Sequence, residues 1–233
     1  MAFVHGKGSA VLVDEFDLSA FLNSLDAAAT ADTAEVTTFG SSAKSYVAGT
    51  KDATISLGGF FDGAASAVDE VLQAALGSSA LISVCPAGVG TIGNRCSLAD
   101  CITTSYTVTA SVADAVTVGA EAQVSGGLLP GVVLASLVAR TATGQTAAVD
   151  NGASSSAGAK AFLHITAFSG TNVTVKVQES PDNSTWADMI TFTQATGVTS
   201  ESKTAAGTID RYLRVDISGT FTSVTFAVTL ARL

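Results

Sequence analysis

The chain has 233 residues, of which 47% are hydrophobic and 13% charged, with a formal net charge of −9. Its length and its mean hydropathy of +0.44 allow a sizeable core in one large domain or two smaller ones, yet no apolar run approaches the ~20 residues of a membrane span. The acidic balance disfavours a binder of phosphate backbones, and a charged fraction well under the roughly 25% of ordinary soluble domains favours a surface buried against other subunits.

The start, Met1-Ala2-Phe3-Val4-His5-Gly6-Lys7, has no charged segment leading into an apolar one, so no cleaved secretory signal is expected and synthesis in a cytoplasm is expected. Residues 33–39 alternate and are β-branched, which predicts a strand with one wet face. A small-residue loop, 40–50, separates it from a second alternating strand at 53–57, forming a long-looped hairpin. Over 65–76 the apolar residues Ala65, Val68, Val71, Leu72, Ala75 and Leu76 share one helical face. Asp69 and Glu70 come early and Gly77 supplies a stop, so a short amphipathic helix on a sheet is expected.

Residues 81–85 read as a strand ended by Pro86. The clearest alternation follows, with Tyr106, Val108, Ala110 and Val112 on one face, then Val116, Val118, Ala120, Ala122 and Val124. Only Ala113, Asp114 and Ala115 intervene, which predicts a hairpin. The pattern breaks at Gly126-Gly127-Leu128-Leu129-Pro130-Gly131, and the charge balance changes there too. Residues 1–127 hold thirteen acids against Lys7, Lys44, Lys51 and Arg95, whereas 128–233 balance seven against seven. Two domains, 1–127 and 128–233, are therefore expected. The second offers short strands at 132–140, 160–168, 173–179, 186–192, 209–217 and 224–230, suited to an antiparallel sandwich or jelly roll. Its polar stretch 141–159 reads as the most flexible segment.

Chemistry finds little support. Cys85, Cys96 and Cys101 are too few for a disulfide framework, and Cys96 to Cys101 lacks the paired ligands of a zinc site, so they read as buried small residues or idle thiols. Gly88-Val89-Gly90-Thr91-Ile92-Gly93 matches the letters of a dinucleotide fingerprint, but β-branched residues follow in place of a helix, so no cofactor is expected. His5 and His164 have no catalytic setting, no G-x-S-x-G elbow is present, and the acid pairs Asp14-Glu15 and Asp69-Glu70 point in different directions along their elements. No enzyme activity is expected. The turn Ser180-Pro181-Asp182-Asn183-Ser184-Thr185-Trp186 could present Asp182, Asn183 and Trp186 to a glycan, although Trp186 entering the next strand and its core is the favoured alternative.

Several stretches carry a resemblance: 16–25, Glu35-Val36-Thr37-Thr38-Phe39-Gly40, Ala43-Lys44-Ser45-Tyr46-Val47 and 51–62 in the first half. The second half adds 147–152, 175–186, Arg211-Tyr212-Leu213-Arg214-Val215 and Phe226-Ala227-Val228. In their order and joint occurrence these resemble the major tail (tail-tube) proteins of long-tailed, siphovirus-like actinobacterial phages. The segment 85–101 has no counterpart in that resemblance. The resemblance implies a mainly β chain with an N-terminal barrel-forming tail-tube domain carrying one short helix, followed by a C-terminal β-sandwich or jelly-roll-like domain. It implies a virion protein assembling into stacked, hexameric rings that conduct DNA, in contact with tape-measure, tail-tip and tail-terminator proteins and without membrane insertion.

On that reading Glu35, Asp52, Asp114 and Glu121, on or beside the wet faces and turns, are expected in an acidic lumen that keeps the duplex from sticking. The loop region with Gly40, Lys44, Tyr46, Gly49 and Lys51 is expected to make ring-to-ring contact. A virion decoration or head-fibre protein, or a carbohydrate-binding sandwich, are the alternatives.

Overall fold

The structure, a computed structural model, describes residues 3–233 and is mainly β. In chain order the elements are β1 (Ala10–Val13), β2 (Phe16–Asp17), β3 (Leu22–Glu35), β4 (Tyr46–Phe60), α1 (Val68–Ala74), β5 (Ser79–Cys85), β6 (Arg95–Ser111) and β7 (Asp114–Arg140). They continue with β8 (Gly144–Gln145), β9 (Val149–Asp150), β10 (Ala159–Ser180), β11 (Ala187–Thr191), β12 (Thr199–Ala205) and β13 (Tyr212–Arg232). No helix among the described residues is long and apolar enough to cross a membrane.

The chain divides into two compact units. A ribbon unit takes the N-terminal stretch to Ala20, Ala80–Leu98 and Leu129–Leu233, and an arm unit takes Phe21–Ser79 and Ala99–Leu128. The division is thus discontinuous, where a single cut at 127/128 was expected. β7 does not end at the glycines: Gly126 and Gly127, at φ 78° and 89°, take a backbone form open to a residue without Cβ, so the strand can change course there and continue.

In the ribbon unit, β10 and β13 pair antiparallel from Ala159↔Arg232 to Ser180↔Tyr212. The separately expected strands 160–168 and 173–179 are one strand, and 224–230 and most of 209–217 are another. Bulges around Ser169, Gly170 and Asn172 interrupt the register. Gly219 sits opposite at φ 131°, where a Cβ would meet the backbone of Asn172 and Val173. Leu163, Ile165, Val175 and Val177 of β10 and Val215, Phe226 and Val228 of β13 bury into one cluster with Leu134, Ile190 and Phe192. Phe162 and Ala227, one residue out of phase, enter a second cluster with Leu12, Cys85, Leu98 and Val133. Both faces of this part of the ribbon are therefore covered, which is why it reads as an apolar run. Each of the fully buried Phe162, Phe192 and Phe226 contributes about 1.5–3 kcal/mol of transfer free energy.

The stretch 141–159 is not a loose loop. β8 and β9 pair with β13, Thr146 N donates to Val215 O at 2.8 Å, and the Arg211 guanidinium grips the Asp150 carboxylate with two bonds of 2.7 Å. Polar composition hid backbone pairing that the ladder of β13 supplies.

The arm unit holds the sheet order β3-β4-β7-β6. Ala53, Ile55 and Leu57 of β4 and Val118, Ala120, Ala122 and Val124 of β7 are buried, while their alternates Thr54, Glu121 and Gln123 are exposed. The β6–β7 hairpin forms as expected. The helix is shorter than 65–76: Ser66 has φ 61°, outside helical space, and Glu70 accepts from the Ser66 backbone N–H at 2.6 Å, so α1 begins at Val68. It buries Val68, Val71 and Leu72. The first hairpin also differs from expectation, since β3 starts at Leu22 and ends at Glu35, the loop is 36–45, and β4 begins at Tyr46.

Candidate functional site

The β3–β4 hairpin extends well beyond the sheet that carries it. β4 pairs with β7 from Thr54↔Gln123 to Phe60↔Thr117, whereas β3 and β4 pair with each other out to Glu35↔Tyr46. From Ala28 to Asp52 every residue is exposed. Two strands wet on both faces are marginal in isolation, and the arm carries Val36, Phe39, Tyr46 and Val47 as large exposed apolar side chains. Such a ribbon presents what a neighbouring chain could cover.

Among the ring-to-ring candidates, Gly40 and Lys44 lie in the loop, and Tyr46, Gly49 and Lys51 lie on β4. Lys44 Nζ is 2.9 Å from the Glu35 carboxylate. That bond, followed by one from Thr37, holds the Glu35 carboxyl below its ordinary range. Both partners are exposed, so the pair sets loop geometry more than stability.

The two outer edges of the arm sheet are open. β3 has β4 as its partner and, among the described residues, no strand beyond it. On the other side, Thr103 N donates to Ser78 O and Gly77 N donates to Thr103 O, which marks the end of β5 against β6. From Thr104 to Ser111 β6 has run past it. The four strands alternate in direction, as the antiparallel pairs β3–β4 and β4–β7 and the β6–β7 hairpin require.

One face of this sheet is acidic. Asp26 stands opposite Ser56 on β4, and Ser56 opposite Glu121 on β7, so the three form a cross-strand row on one face. Two residues along each strand comes the row Ala28, Thr54 and Gln123, and beyond it Asp52 opposite Thr30. Asp32, accepting from the Thr50 hydroxyl at 3.0 Å, follows Asp26 by alternation. The single base in these strand stretches, Lys51, neighbours Asp52 and so falls on the opposite face.

Asp52 and Glu121 thus share a surface, Asp114 lies at the start of β7 beside the hairpin turn, and Glu35 falls on the other face by alternation along β3. Asp26 and Asp32 were missed because Ala27, Ala28, Ala29 and Ala31 leave no hydrophobic period by which to recognise a strand. Only their pairing with β4 reveals it. Tyr106 ties β6 to α1 by donating to Asp69, and burial with that bond pushes its phenol up to about 12.

The glycan candidates are built into the ribbon unit's own structure. The Asp182 carboxylate accepts from Thr185 N at 2.8 Å, Ser184 N at 2.9 Å and the Ser180 hydroxyl at 3.0 Å. Those bonds, the backbone ones foremost, hold it well below the usual carboxylate range. Asn183 sits at φ 62° in the same turn. Trp186 is half-buried, with the Arg214 guanidinium 4.0 Å from its ring centroid.

A buried polar group also occupies the ribbon unit. His164 is fully buried, its Nε2 is 2.8 Å from Ser83 Oγ, and Ser83 Oγ is 2.9 Å from Thr229 Oγ1. Its Nδ1 donates to the Asp14 carbonyl, so Nε2 accepts from Ser83. The order resembles a nucleophile and base, but Ser83 and His164 are both at 0% exposure, so the group joins β5, β10 and β13 out of reach of substrate. Burial, partly offset by the Asp14 bond, lowers the imidazole to about 4. Among the described residues no three His, Cys, Asp or Glu gather as metal ligands.

No family model matches the chain, and no curated protein matches it. Among solved structures it is similar to a chain in the virion of a native gene transfer agent particle, at 20% identity and a TM-score of 0.43, covering 53% of this chain and 95% of that one. It is also similar to a chain in the tail of an empty gene transfer agent particle of C6 symmetry, at 21% identity and a TM-score of 0.43, covering 53% and 96%. The SPP1 Dit protein, described as a paradigm of the hub adsorption apparatus in phages infecting Gram-positive bacteria, is similar at 10% identity and a TM-score of 0.36, covering 96% and 98%.

Proposed function

We propose that this chain is a structural virion protein, the subunit of a phage tail tube, whose copies join edge to edge into rings of six that stack around a DNA conduit. The observation that carries this reading is the arm sheet, with an open edge on each side and strands of alternating direction. Rotation about a ring axis preserves strand direction along that axis. The β6 edge of one copy would therefore meet the β3 edge of the next in antiparallel sense, and a closed ring leaves no edge exposed.

The acidic face supports the lumen assignment. Asp26, Asp32, Asp52 and Glu121 share it with no base among the same strand stretches, and a duplex carrying about one charge per 1.7 Å would be repelled from such a wall. The opposite face carries the buried apolar residues of β4 and β7, so it is the acidic face that remains for water. The exposed arm, with Phe39 at its tip and Lys44 in its loop, is assigned to contact between rings. The sequence resemblance to tail-tube proteins adds tape-measure, tail-tip and tail-terminator proteins as partners.

Negative-stain electron microscopy of the purified chain at rising concentration tests the reading. Hollow tubes or stacked rings are expected. Dispersed monomers or trimers, persisting when tail-tip and chaperone components are added to nucleate growth, would overturn it in favour of a decoration or fibre protein.

A further inference from the structure

The sheet places β5 beside β6, and each strand contributes one cysteine to the same buried cluster. Cys85, the last residue of β5, is 0% exposed, and Cys96, the second of β6, is 4% exposed. The two thiols are in hydrogen-bonding contact within that cluster. Thiols in contact on neighbouring strands have their side chains directed at each other, as a disulfide requires.

We infer that Cys85 and Cys96 form a dithiol–disulfide pair, a modification site that takes small-molecule disulfides as its oxidant. A thiolate at Cys85 attacks one sulfur of oxidised glutathione, forming a mixed disulfide and releasing one glutathione thiolate. Cys96 then attacks the Cys85 sulfur, the intramolecular bond forms, and the second glutathione leaves. The two cysteine protons end on the two glutathione thiols, and the two electrons lost by the protein sulfurs reduce the glutathione disulfide.

The same contact keeps the reduced pair quiet. The hydrogen bond to Cys85, then burial, push the Cys96 thiol far above its ordinary range, so the folded reduced protein holds almost no thiolate there and exchanges slowly. The bond would lock the base of the segment 86–94, whose Val89 and Asn94 carbonyls accept from Leu137 N and Val133 N of β7. Cys101, an odd number of residues beyond Cys96, falls on the other face of β6 and serves as the internal control.

The test has two arms, prolonged incubation of the folded chain with oxidised glutathione, and refolding of the reduced chain in a glutathione redox buffer, which removes the barrier of burial. Thiols are then counted by alkylation after denaturation, with peptide mapping by mass. The expected result in the refolded arm is a fall from three alkylatable thiols to one, at Cys101, with the melting midpoint raised by about 5–10 °C for a loop of this length. Cys101→Ser should form the bond unchanged, and Cys85→Ser should not lose a thiol. Three thiols persisting in both arms, a bond that includes Cys101, or a stable glutathione adduct on one cysteine would each overturn the assignment.

Discussion

The side-chain amide of Gln123 on β7 donates to the Asp52 carboxylate on β4, and also to the Ala53 carbonyl at 3.1 Å. The bond orients the acid on the wet face of the arm sheet without cancelling its charge, because the donor is neutral. A lysine in that place would have made an ion pair. The face is therefore built to remain negative.

Reversing that charge should turn a repelling wall into a binding one. In a variant with Asp26→Lys, Asp52→Lys and Glu121→Lys, all at exposed strand positions, assembled material should retain a fluorescent duplex in dilute salt and release it as salt rises. The slope should approach about −0.9 per phosphate contacted. Sedimentation of the duplex with the assemblies measures this. Equal retention by the unmodified assemblies would place the acidic face outside the conduit.

Replacing loop 36–45 by Asn-Gly, a turn suited to a two-residue hairpin, should leave folding stability within about 0.5 kcal/mol, since the arm buries little in the single chain. Stacking should be lost. Calorimetry checks the first outcome and microscopy the second; normal tubes from the shortened chain would remove the arm from ring-to-ring contact.

Val108 is half-exposed on the open stretch of β6. A charged side chain on an edge strand opposes strand addition, so Val108→Lys should abolish ring formation in sedimentation velocity while the monomer's urea midpoint stays nearly unchanged. Val108→Thr, neutral and β-branched, should still assemble. Rings from the lysine variant would mean that β6 is not the joining edge.

His164 makes stability depend on pH in a definite direction. Its folded value of about 4 lies below the ~6.5 of an exposed imidazole, so between those values the unfolded chain binds a proton that the native chain does not. The contribution is fully present above pH ~6.5 and is lost as pH falls towards 4, amounting to roughly 3 kcal/mol. Asp14, whose carboxyl is raised chiefly by burial, opposes this at the acid end, so the readout is the difference between the parent and His164→Gln. That difference should shrink steadily over the window; parallel stability curves would show that His164 is not buried neutral.

Much of the arm unit's sheet was legible from residue order. The alternation from Tyr106 through Val124, with Ala113, Asp114 and Ala115 between, specifies a hairpin because a strand with one wet face must repeat every two residues. Ala53, Ile55 and Leu57 on β4 follow the same rule, and so Asp52 and Glu121 could be placed on a wet surface before any pairing was known. The turn chemistry of Asp182 and Asn183 was equally local.

What residue order left open depends on neighbours distant in sequence. β3 over Leu22–Glu35 carries small and polar residues that fit either face, and it becomes a strand because β4 offers it a ladder. β8 and β9 exist because β13 passes beside them. The Gly126-Gly127 break looks like a terminus in one dimension, yet the strand continues through it, since glycine can reverse its φ while the chain on each side finds partners in a different unit. Local composition determined that this would be a β protein with wet, acidic faces in its first half. Which edges stay open, which acids share a face and which two cysteines meet were decided by strand pairing, because hydrogen-bond register acts between residues that the sequence separates by tens of positions.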